Sequence, residues 1–169
     1  MYRAARRNVS GVVVPAQGGV SYPAWRAALS AWQWTELATA DISTVTPTSN
    51  PGGAYAGRVS AWNGITAIGS LVCMAATGGH DNYAGNEAYT CDLSQASPAW
   101  TLRRQPTASV TADVGYYGDG RPTSSHTYYT LHGDATRNRI FRFGVGSAWG
   151  SGPTTSDQVD AFSLASDDW

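Results

Sequence analysis

Hydrophobic and polar residues alternate in short runs along most of this chain, and they seldom repeat at the helical period of about 3.6 residues. Residues 59–69 (VSAWNGITAIG), 70–79 (SLVCMAATGG), 86–93 (NEAYTCDL) and 99–106 (AWTLRRQP) read as four strands joined by tight loops, an antiparallel meander. Within 86–93, Ala88, Thr90 and Asp92 fall on one face and Tyr89, Cys91 and Leu93 on the other. A longer connection, TASVTADVGYYGDGRP, follows, and then the series restarts with 124–133, 138–146 and 158–165. The best helical candidate is 22–34, where Ala and Leu favour one or two turns near Ala24 to Ala31. Just beyond those turns, WQWTEL alternates around Trp32 and Trp34 and reads as the last strand of an earlier unit. Residues 43–57 are a polar, Pro/Gly-rich connection. The pattern predicts an all-β chain, with an N-terminal extension over 1–56 and two successive β units over 57–169.

Composition agrees. The chain has 169 residues, 42% hydrophobic and only 14% charged, with 19 Gly, seven Trp and nine Tyr. Low charge with abundant aromatics and glycine suits strands and turns. A formal net charge of -1 gives no bias toward nucleic acid or an anionic membrane. No apolar run approaches the roughly 18 residues of a membrane span. The opening MYRAARRNVSGVVVPAQGG has an apolar run only from Val12 to Pro15. A secretory signal needs about 7–15 apolar residues, so none is read here and the compartment stays open. A start upstream of this chain would leave an extracellular or surface location available.

The order strand, strand ending in glycine, loop, strand and Trp occurs twice. The residues are Gly78, Gly79, Tyr89 and Trp100, then Gly144 (with Val145 in the place of a second glycine), Phe162 and Trp169. RPTSSHTYYTL opens the second round with a basic residue, a proline and a His. This arrangement resembles the kelch motif, which forms the four-stranded antiparallel blades of β-propellers, including the galactose-oxidase-like ones. The resemblance covers roughly 57–169. It implies that Trp100 and Trp169 fill space between blades. The interval from Trp100 to Trp169 is longer than the usual ~50 residues of a kelch unit. A closed propeller needs at least about four blades, so the resemblance implies a partial or truncated propeller. Further sequence, or self-association of this chain, would complete the ring.

The stretch GGHDNYAGNE concentrates the candidate chemistry. His80, Asp81, Asn82, Tyr83 and Asn86 offer polar groups to a ligand, and Glu87 adds a carboxylate. The same residues suit a structural hairpin, because Gly79 and Gly85 permit tight turns and Asp and Asn bond to nearby backbone. EF-hand spacing is absent and a single His makes no zinc site, so no metal is expected. Cys73 and Cys91 flank the loop almost symmetrically and are either two buried thiols or a cross-strand disulfide. Tyr116, Tyr117 and Arg121 in the long connection and Trp149 in the loop after 138–146 are further contact candidates, since such segments lie where ligands bind.

Catalytic patterns are thin. There is no G-x-S-x-G, and the spacing of Glu36, Glu87, Asp113, Asp119, Asp157 and Asp160 says nothing about pairing in space. The resemblance brings in a copper-radical oxidase, whose site needs a Tyr crosslinked to Cys, a second Tyr and two His. His80, His126 and His132 stand in no recognisable copper motif. His126 reads as a packing residue and His132 as solvent-facing. The expected function is therefore a non-catalytic binding module that recognises a protein or a carbohydrate and needs no cofactor. The alternative is a galactose-oxidase-like or other carbohydrate-acting enzyme whose remaining blades lie outside this chain.

Overall fold

Two antiparallel sheets form where the alternation is strongest. The computed structural model describes residues 23–32, 34–60, 62–150 and 156–169. The first sheet holds β1 (Thr66–Ile68), β2 (Leu71–Ala75), β3 (Ala88–Asp92) and β4 (Trp100–Arg104), in sequence order. This is the predicted meander. Its N-terminal strand is much shorter than 59–69, because α2 (Gly57–Ser60) occupies the first part of that run. The second sheet is built on β7 (Arg139–Ala148). β8 (Ser156–Ser163) lies along one side of it, and β5 (Ser125–His126) and β6 (Leu131–Asp134) share the other. The expected single strand 124–133 is thus broken. Thr130 N–H donates to Thr127 C=O at 2.7 Å, and Tyr128 N–H reaches across to Trp62 C=O at 3.1 Å. The backbone turns toward residues 62–64 and then rejoins the sheet.

The expected strand around Trp34 is not formed. Helix α1 is a single turn, Ala24–Ala27, and Trp34–Leu37 pair with nothing in either sheet. Trp32 and Trp34 are both 99% exposed, so the alternation there reflects no buried face. No helix among the described residues is long and apolar enough to cross a membrane.

The core sits between the sheets. Ile68, Cys73, Ala75 and Ala88 from the first meet Leu131, Ile140, Phe162 and Leu164 from the second, with Leu71 and Trp169 against the edge. Small side chains on one sheet admit Ile140 and Phe162 from the other. At the seam the backbones almost touch. A Cβ on Gly133 would collide with the Ala67 carbonyl, and Gly133 N–H donates to Thr66 Oγ1 at 2.8 Å. Arg142 is fully buried on the inner face and donates twice to Asp160, at 3.0 and 2.7 Å. The outer faces differ. Tyr89 on sheet 1 is buried beside Arg58, whereas Phe143 and Val159 on sheet 2 are about half exposed, at 46% and 52%.

The cysteines are free, which corrects the disulfide expectation. Cys73 pairs with Thr90, and Cys91 with Val72. The register is one residue away from the symmetric one, and one residue is enough to put the two thiols on opposite faces.

A histidine and aromatic rim as candidate functional site

The 77–87 stretch is a hairpin before it is anything else. Gly79 N–H donates to Tyr83 C=O and Asn82 N–H to Gly79 C=O, both at 3.0 Å. Gly78 and Gly79 take φ of 122° and 62°, which side-chain-bearing residues resist. Gly85 is needed for space, since a Cβ there would strike Glu87 Oε2 and the Tyr83 ring. Neighbouring chain clamps the loop from both sides. Ala54 N–H donates to Asn82 C=O, Ala84 N–H to Gly52 C=O, and His80 N–H to Ala148 C=O, each at 3.0 Å.

This scaffold sorts the candidate residues. His80, Asp81 and Asn82 stay at the surface. Tyr83 and Asn86 go inside. Asn86 is consumed by Thr107 and by the Pro122 carbonyl, at 3.1 and 2.9 Å. Tyr117 is buried too, donating its hydroxyl to Ala84 C=O at 2.6 Å. Tyr83 packs against Tyr55, so all three hold the fold together and offer no surface to a ligand. Glu87 lies buried against the Tyr89 hydroxyl at 2.9 Å. Burial pushes its carboxyl above the ordinary value, against the opposing effects of its hydrogen bonds and of Arg58.

The surface residues of the hairpin do not stand alone. His126, at the start of the second sheet, brings its ring to 5.8 Å from that of His80. Asn82 Nδ2 lies 3.4 Å from its Nε2, and the Tyr128 hydroxyl 3.4 Å from its Nδ1. Trp62 completes the rim, 5.8 Å from His126 and 6.0 Å from Tyr128. Asp81 sits beside His80 at 3.6 Å. Burial, and then the neighbouring His80, lowers the pKa of His126, which favours the neutral ring, able both to give and to accept a hydrogen bond. Trp62, His80 and Tyr128 all take positive φ, at 54°, 44° and 39°. Non-glycine residues held there cost of order 1 kcal/mol or more each, and such strain gathers at binding and active sites.

Tyr116 and Arg121 belong to a different place. They line a cleft of about 330 Å³ along β8, together with Asp119, Asp160 and Asp168. Arg121 is held by Asp168 at 3.0 Å and Asp119 at 2.8 Å, and Tyr116 by Asp160 at 2.6 Å. Trp149 is half-buried and packs on Gly52, where a Cβ would be 3.2 Å from its ring. Among the described residues no group of three His, Cys, Asp or Glu side chains is placed to hold a metal ion.

The sequence reading missed Trp62 and Tyr128, and it took His126 for packing alone. Trp62 stood inside a presumed strand and Tyr128 inside another, so neither offered a loop signal. No family model, curated protein or solved structure matches this chain.

Proposed function

We propose that this chain is a non-catalytic recognition module that binds a carbohydrate through the rim formed by Trp62, His80, Asn82, His126 and Tyr128. One observation carries this reading. Segments far apart in sequence converge on a surface where Trp62 and Tyr128 remain 59% and 48% exposed beside a hydrogen-bonding His–Asn pair. An exposed aromatic face takes the C–H face of a sugar ring, and adjacent amide and imidazole groups take its hydroxyls. The reading needs no cofactor.

We also read the two sheets as adjacent kelch-type blades. The face-to-face core and the β1–β6 seam support it, since first strands of neighbouring blades would meet there. Exposed Phe143 and Val159 on the outer face of sheet 2 support a further sheet packing against it, from other sequence or from another copy.

The test is a glycan array probed with the purified chain and with Trp62→Ala and His126→Ala. Retained glycans that both variants lose would support the reading. Glycan signals unchanged by the variants, or no glycan bound at all, would remove the carbohydrate ligand.

A further inference from the structure

Arg58 lies on the face of sheet 1 turned away from sheet 2. It is 3% exposed, and its guanidinium sits 5.6 Å from the Tyr55 ring centre and 5.4 Å from that of Tyr89. Nη2 donates to the Ile42 carbonyl at 2.7 Å. Among the described residues, Nε and Nη1 have no hydrogen-bond partner. Burial raises the pKa of the nearby Glu87 carboxyl while Arg58 works against that rise, and among the described residues Arg58 forms no ion pair. A buried cation with orphan donors is costly unless an anion completes it.

Beside this cation opens a cleft of about 360 Å³, walled by Ile42, Ser43, Tyr55, Val59 and Arg58 itself. That volume lies at the small end of ligand sites, which run from about 300 to 1,000 Å³. We propose that the cleft binds a small amphiphilic carboxylate, with its acid group on Arg58 and its aromatic or short aliphatic body against Ile42, Tyr55 and Val59. Nε and Nη2 form the side-on pair of guanidinium donors that matches the two oxygens of a carboxylate. Only one of that pair is engaged, and only by a neutral carbonyl. Nε is enclosed, so a ligand carboxylate reaches it by displacing Ile42 C=O from Nη2; it gains two bonds to the charged guanidinium, while Ile42 C=O and Val45 N–H turn to water. Ile42 belongs to a short 3₁₀ turn, Ile42–Thr44, whose closing bond, from Val45 N–H to Ile42 C=O at 3.1 Å, opens when that carbonyl moves aside.

The site is separate from the histidine rim and does not depend on it. The test titrates the intact chain with sodium benzoate and with benzyl alcohol, its uncharged counterpart, by protein-observed NMR. Hydrogen bonds to a charged group are each worth about 1.5–3 kcal/mol, so benzoate should bind at least about tenfold more tightly. Arg58→Gln should abolish that preference. Since loss of a buried arginine can unfold the chain, Val59→Glu provides the second variant. Val59 is 48% exposed, and a carboxylate there repels benzoate without disturbing the core. Benzoate binding weakened by Val59→Glu, with an unchanged circular dichroism spectrum, supports the site. Equal affinity for the two probes, benzoate binding indifferent to Val59→Glu, or no benzoate shift by about 10 mM overturns it.

Discussion

Removing the Asp160 carboxylate is expected to destabilise the fold more than almost any other single change. Arg142 is 0% exposed, and among the described residues Asp160 alone forms an ion pair with it. Asp160 Oδ2 accepts from both Nε and Nη2, while Nη1 turns to the Thr123 carbonyl at 2.6 Å and Ser125 Oγ at 3.0 Å. In Asp160→Ala the guanidinium keeps those neutral acceptors and loses its counter-charge. Breaking a buried pair from one side costs about 3–5 kcal/mol. Tyr116 also loses the Asp160 acceptor, but it is only partly buried and water replaces that bond, so little is added. Domains are stable by about 5–15 kcal/mol in total, so the variant stands between weakened and unfolded. In urea, with a slope of about 1–3 kcal/mol per molar, the midpoint should fall by about 1–5 M. The double variant Arg142→Met/Asp160→Leu removes both charges and should recover much of the loss, because apolar side chains of similar size avoid the desolvation penalty. A single variant that costs less than about 1 kcal/mol, or a double variant no better than the single, would refute the argument that an unpaired charge is what hurts.

Other expectations follow from the same geometry. Gly85→Ala should lower the melting temperature, because the new Cβ strikes Glu87 Oε2 and the Tyr83 ring; overpacking of this kind costs about 1–3 kcal/mol, and an unchanged thermal melt would contradict it. Glu87 has a folded pKa raised above 4.5, so its contribution to stability is complete below that value and is lost as pH rises through the raised pKa. Glu87→Gln should therefore flatten the decline of melting temperature above pH 4.5, and a parallel decline in both proteins would argue against it. The His126 imidazole should titrate below 6.5 by NMR, moving part-way back in His80→Ala; since its folded pKa is depressed, the stability it contributes is present above 6.5 and is lost as pH falls through the lowered pKa. The two thiols should resist iodoacetamide in the native state and react once guanidinium unfolds the chain, since both are buried and burial pushes Cys73 up to about 11.

Much of the β architecture was legible because a half-buried strand writes its period directly into the sequence. The meander β1–β4 and the cores of β7 and β8 lie where alternation and flanking turn residues coincide. The hairpin at 77–87 was legible for the same reason, since its glycines serve local turns that need no distant partner. Where the reading failed, local pattern and burial had parted company. Trp32 and Trp34 alternate like a strand, yet among the described residues no strand pairs with this segment and both side chains stay exposed. The run 124–133 breaks because Thr127 Oγ1 accepts from Gly64 N–H at 2.8 Å, a contact between segments that no local period foreshadows.

The candidate surface divides in the same way. The sequence by itself determined the all-β character, the tight hairpin and the stock of polar groups it carries, because turn chemistry and strand period are properties of adjacent residues. Only the tertiary structure decided which of those groups face outward, that Trp62, His126 and Tyr128 join them, and that Cys73 and Cys91 face opposite ways. Register between strands and contact between sheets depend on burial summed over the whole core. A shift of one residue there reverses every side chain while leaving the local pattern unchanged.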